Sequence, residues 1–126
     1  MSENNTSSLD PVLLRESVIS MVVESWRVSR VFERILNKLD AAEKTRYVSQ
    51  FRWFMKKVDE ALLQANMKVV NVEGQVFDPG MAATAINIDE FDSEDTLIVD
   101  KMLEPIIMDN DGIVRSGTVI LKKVEK

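Results

Sequence analysis

Residues 12–66 contain neither glycine nor proline, whereas all four glycines and two of the three prolines lie beyond residue 66. A long stretch without helix breakers, followed by one rich in turn formers, constrains the chain to helices first and strands after. Asp10 and Pro11 give the start signal, a carboxylate N-cap and a proline at the first helical position. Leu14, Val18, Met21, Ser25, Val28, Phe32, Ile35 and Leu39 then recur at alternating steps of four and three. This is a heptad seam with one polar break. Ile19, Val22, Val23 and Trp26 form a second apolar row beside it. Asp40 with Glu43 reads as the cap of a second helix, along which Val48, Phe51, Met55, Val58, Leu62 and Ala65 repeat the pattern. So short a connection allows only an antiparallel hairpin.

One helix cannot cover both apolar rows of the other. Two hairpins meeting as a four-helix bundle would cover them, and a symmetric homodimer is the commonest way to build one. The predicted dimer interface comprises Leu14, Val18, Ile19, Val22, Trp26, Phe32, Phe51 and Met55. The competing arrangement folds the β half back over the helices within one chain.

From Met67 the period changes. Residues 67–72 read as a strand, Glu73-Gly74-Gln75 and Phe77-Asp78-Pro79-Gly80 as turns, 85–88 as a strand and 89–95 as an acidic loop. Residues 96–99 and 102–108 supply further strand material, with Pro105 marking an edge or a bulge. Asn110-Asp111-Gly112 is a hairpin turn, and 113–124 the returning strand with a bulge at Gly117. The expected fold is α+β: a disordered tail over 1–9, an antiparallel helical hairpin for dimerisation over 10–66, and a small antiparallel β domain over 67–126.

Charge divides at the same place. Residues 12–66 carry ten basic and seven acidic side chains, residues 67–126 six and twelve, and the whole chain is at −5. Phosphate affinity comes mainly from lysine and arginine, so nucleic acid is not an expected partner. Histidine and cysteine are both absent, which excludes the usual zinc sites, thiol nucleophiles, Ser-His-Asp triads and disulfides. The four glycines form no phosphate loop. Around Asp109-Asn110-Asp111-Gly112 an EF-hand phase would put Ile107 first and Thr118 twelfth, neither a carboxylate. No acidic pair stands out for acid/base work. No enzymatic activity, cofactor or metal is therefore expected. No apolar run approaches the ~18 residues of a membrane span, and the polar start lacks the regions of a signal peptide. A soluble cytoplasmic protein is the expectation.

Three stretches carry a family resemblance. Leu62 and Leu63 lead into Met67-Lys68-Val69-Val70; Phe77-Asp78-Pro79-Gly80 precedes Met81-Ala82-Ala83-Thr84-Ala85; and Ile113-Val114-Arg115-Ser116-Gly117-Thr118-Val119 forms the terminal strand. Over about residues 55–124 this layout resembles the GrpE family, nucleotide exchange factors of DnaK-type chaperones. The hairpin before it looks like that family's bundle segment. Where the family has Asn and a histidine-containing stretch after Asp-Pro, this chain has Gly80-Met81-Ala82-Ala83; one hairpin arginine of the family aligns with Gly112 and another with Arg115. The resemblance implies a β domain that binds the nucleotide-binding domain of a DnaK-type chaperone and promotes ADP release, with Phe77, Asp78, Pro79, Met81, Ile107 and Arg115 on the partner side. Phe77 and Met81 read equally well as the domain's own core. Strict alternation puts Arg115 on the apolar face, a bulge at Ser116-Gly117 turns it outward, and a local pair with Asp109 or Asp111 is its simplest structural role. Two other functional readings fit the size and charge: a small acidic dimeric secretion chaperone, and a GrpE-fold adaptor without exchange activity.

Overall fold

A computed structural model describes residues 10–124. Helix α1 (Pro11–Asn37) and helix α2 (Ala41–Gln64) form the hairpin, so the fold is α+β with helices preceding strands. Both caps lie where the sequence puts them: Asp10 accepts from the Val12 amide and Asp40 from the Glu43 amide, each at 2.9 Å. Helix α2 is capped by Ala65 and followed by Asn66, whose φ of 62° is the left-handed conformation that closes helices.

Among the described residues six strands follow, β1 (Met67–Val70), β2 (Ala83–Ala85), β3 (Leu97–Glu104), β4 (Ile106–Asp109), β5 (Gly112–Arg115) and β6 (Gly117–Lys123). They make two three-stranded sheets, ordered β1-β4-β5 and β2-β6-β3. The expectation of a wholly antiparallel domain is corrected, because β2 runs parallel to β6 with Ala83 opposite Gly117. The strand expected over 85–88 lies earlier, and a 3-10 turn (Ile88–Glu90) opens the acidic segment. Asn87 explains the early stop. Its side-chain amide donates to the Leu121 carbonyl and accepts from the Leu121 amide, both at 2.9 Å, so a side chain takes the place of a ladder residue.

Strands β3 to β6 are one long ribbon, bent in its middle. Its tip is the Asn110-Asp111 turn, with Gly112 at a φ of 131°. The bend lies where Pro105 separates β3 from β4 and Ser116 separates β5 from β6. Proline supplies no ladder donor, so the β3–β4 arm leaves one sheet and enters the other there, and the β5–β6 arm crosses at the same level. A Cβ on Gly117 would lie 2.7 Å from the Glu104 carbonyl oxygen and 2.9 Å from Ile106 Cγ1. Only glycine fits this crossing. The bulge expected at Gly117 is a change of sheet.

Two apolar clusters hold the halves together. Trp26 packs with Val72, Leu97, Val99, Met102, Ile106, Val119 and Leu121. Val22, Val23 and Leu62 pack with Met67 and Ile107. Hence Trp26 and Val22, assigned above to a dimer interface, lie in the chain's own core. The β half covers the second apolar row of α1. Polar groups close the same junction. Trp26 Nε1 donates to the Met102 carbonyl at 2.6 Å, and the Met102 amide donates to Glu73 Oε2 at 2.8 Å. Arg30 Nη1 reaches both Glu73 oxygens at 3.1 Å, and its guanidinium lies 4.2 Å from the centre of the Trp26 ring.

Trp26→Phe keeps most of the buried ring but leaves the Met102 carbonyl without its donor, an expected loss of about 1–3 kcal/mol in urea denaturation. Gly117→Ala should cost about 1–3 kcal/mol by overpacking against backbone. Gly80→Ala is the control. Its nearest contact would be Asp78 Oδ1 at 3.5 Å, and its expected change is within about 0.5 kcal/mol.

Candidate partner interfaces

The heptad seam leaves one face of the hairpin uncovered. Leu14, Met21, Val28 and Ile35, spaced by seven, keep between 50% and 71% of their surface exposed. On α2 Trp53 and Phe54 are exposed as well, Trp53 with the Lys57 ammonium 4.5 Å from its ring centre. Phe32 and Phe51 meet across the hairpin with ring centres 5.6 Å apart. They are half-buried, and Val28, Ser29, Gln50 and Phe54 complete a cavity of about 280 Å3 with them. Of the residues assigned to dimerisation, Leu14 is exposed, Val18, Ile19, Phe32, Phe51 and Met55 are half-buried, and Val22 and Trp26 are buried. A stripe of apolar residues spaced by seven, with half-open aromatics beside it, is the surface that helix-to-helix packing consumes.

The residues assigned to the partner side do not form one patch. Ile107 has no exposed surface, since it packs beneath α1 and α2 with Val22, Leu62 and Met67, and its assignment is corrected to core. Phe77 and Met81 are half-buried against the Trp26 cluster. Asp78 and Pro79 are exposed beside them, Asp78 accepting from the Gly80 amide at 2.9 Å. Phe77 and Pro79 line a groove with Val76, Ile88, Phe91 and Leu97. Arg115 lines a different depression, against Glu16, Ile19, Ser20, Val23 and Glu24 of α1.

Arg115 has neither of the partners its place in the hairpin suggested. Its Nη2 donates to Glu104 Oε1 at 3.1 Å, while Asp109 is taken by Arg15 from α1. Glu104 also receives Arg27 Nη2 at 3.2 Å and the Thr118 hydroxyl at 3.2 Å. The Arg115 side chain is 38% exposed, yet its Nε is buried without a hydrogen-bond partner. The Asp111 amide, 2.8 Å from Asp109 Oδ1, is the main influence holding Asp109 below its ordinary carboxylate value; Arg15 acts in the same direction and desolvation against both. A depressed carboxylate contributes above its unfolded pKa and loses that contribution as pH falls through the folded one. This hairpin contact therefore fades only in acid below about pH 4.

The groove at Phe77 was only half legible. The acidic segment is visible in sequence, but Val76, bridged to Ile98, lies twelve residues before the 3-10 turn that Ile88 opens and Phe91 caps, and only the fold brings them together. A second cavity, about 460 Å3, lies between α1 and the β3–β6 pair, with Arg27, Arg30, Arg34 and Lys101 along its wall. Arg27, Arg30 and Lys101 are each paired with a glutamate there. Among the described residues no group of three or more acids could hold a metal ion, and no helix is long and apolar enough to cross a membrane. Compared with protein-family models, with curated proteins and with solved structures, the chain matches none.

Arg115→Ala is expected to cost no more than about 1 kcal/mol, the range of an exposed pair. Arg27 and Thr118 still hold Glu104 in that variant. Chemical denaturation checks this; a loss several times larger would make the pair a buried element of the fold.

Proposed function

We propose that this chain is a GrpE-like cochaperone, a homodimer joined through the open hairpin seam, whose β unit binds the nucleotide-binding domain of a DnaK-type chaperone and promotes ADP release. The observation that supports the reading most is a convergence. The last of the three stretches that carry the resemblance begins 28 residues after the second ends, yet Ala83–Ala85 lies beside Gly117–Val119, the Phe77 amide donates to the Leu97 carbonyl at 2.8 Å, and β1 pairs with the β4 arm of the same ribbon. They belong to one folded unit, as a shared ancestral surface requires. The departure at Gly80-Met81-Ala82-Ala83 falls on a turn and the first residue of a short strand, with Met81, Ala82 and Ala83 half-buried against the Trp26 cluster.

The dimer is supported separately. Leu14, Met21, Val28 and Ile35 remain exposed after the β half has covered the other row of α1. A second hairpin is the partner whose periodicity matches that stripe. Exchange by such a dimer involves no bond making. A protein that binds the open nucleotide cleft more tightly than the closed one shifts the cleft open, tenfold for each ~1.4 kcal/mol of preference.

Light scattering should give twice the chain mass at micromolar concentration, and Met21→Glu with Val28→Glu should give a folded monomer. With the dimer intact, release of labelled ADP from a DnaK-type chaperone should accelerate at least about tenfold. A dimer that leaves ADP release unchanged is an adaptor on the same scaffold.

A further inference from the structure

The groove beside Phe77 has a volume of about 520 Å3, with Phe77, Phe91 and Leu97 in its floor and Val76, Ile88 and Asp92 on its rim. Val76 and Ile88 keep 62% and 43% of their surface in water. Exposed branched side chains around a hollow are the apolar surface a partner covers. The charge around that hollow is mostly negative, with Lys123 beside the lining Asp95 as a cation paired there. Residues 69–100 hold eight carboxylates and no lysine or arginine. Glu73, Asp95 and Asp100 are paired with Arg30, Lys123 and Lys122. Asp78, Asp89, Glu90, Asp92 and Glu94 take part in no ion pair among the described residues. Each of the five lies in the turns that frame the groove, within two residues of a lining side chain.

Floor and rim select different properties of an occupant. An apolar side chain gains by leaving water for the floor, whereas a bare cation leaves that floor wet. The rim repels acidic segments and attracts basic ones, which raises the association rate and sets the sign of the partner. The geometry points to a docking groove for a protein segment that carries one large apolar side chain flanked by lysines or arginines. This rests on reading this end of the β unit as a partner face, though not on the partner being a chaperone ATPase.

The test is fluorescence anisotropy of the full chain with three short labelled peptides. One has a phenylalanine flanked by lysines, the second replaces the lysines by glutamates, and the third replaces the phenylalanine by serine. The first should bind about tenfold tighter than either control, with affinity falling as salt is added. Ile88→Ser and the pair Asp92→Asn with Glu94→Gln should each weaken it about tenfold, and circular dichroism melts should show these exposed changes to be folded. Equal binding of the glutamate peptide, or of the serine peptide, overturns the proposal, as does unchanged binding by Ile88→Ser. A change of oligomeric state in Ile88→Ser, read by light scattering, also overturns it, because a second copy would then be the occupant. No chaperone is present in the titration, so a failure of ADP release leaves its result standing, and the reverse holds too.

Discussion

The structure depends on a closed circuit of four groups at the junction of helix and sheet. Trp26 donates to the Met102 carbonyl, Glu73 accepts from the Met102 amide, Arg30 grips Glu73 with one nitrogen shared between two oxygens, and the Arg30 guanidinium lies over the Trp26 ring. Strand β3 is an edge of its sheet, and an unpaired edge is a site for unwanted strand addition. Here both backbone groups of Met102 are occupied by side chains from outside the sheet. The Arg30 and Glu73 side chains are only 14% and 21% exposed, so neither charge can lose the other without a desolvation penalty. The circuit therefore fixes which way α1 lies on the ribbon, while the apolar cluster around Trp26 supplies most of the burial.

Everything downstream of that junction follows from the bent ribbon. Because Pro105 and Gly117 let both arms change sheet at the same level, the tip joins β1 and the base joins β2. The tip passes beneath α1, where Arg15 meets Asp109 and Ile107 is enclosed by Val22 and Leu62. The base carries the Trp26 cluster and, past Asn87, the acidic turns. Two surfaces remain at opposite kinds of element, a helical stripe and a loop-framed groove.

Caps, helix existence and the Asp-Gly hairpin were legible because each is decided within a few residues. The Asp10 and Asp40 caps and the positive φ at Gly112 need no knowledge of the rest of the chain. The heptad seam was legible too, since its period is local, but the width of the apolar face was ambiguous. A second row of Val22, Val23 and Trp26 looks the same in sequence whether a second copy or the chain's own sheet covers it. The sheet covers it, which is why two of the eight assigned dimer residues are core. Ile107 misled for a similar reason. Its strand has tertiary cover on both sides, and alternation carries no information about that. The parallel pairing of β2 depends on contacts between residues more than thirty apart and has no local signal.

The charge asymmetry at residue 67 has the most instructive resolution. A basic helical half and an acidic β half look like two units, each with an external partner of opposite sign. In the folded chain three arginines of α1 are spent on each other's half: Arg15 on Asp109, Arg27 on Glu104, Arg30 on Glu73. Much of the asymmetry is thus an intrachain interface written in charge. Such pairs add little stability when exposed, but they penalise every docking that would bring like charges together, and so they select one orientation. What the docking does not neutralise then becomes informative. Asp78, Asp89, Glu90, Asp92 and Glu94 are all found on the turns beyond β1 and before β3, away from the arginines of α1. A fold that spends Glu73, Glu104 and Asp109 on the arginines of α1 and leaves five acids without an ion pair on these turns gathers negative charge around the apolar hollow beside Phe77.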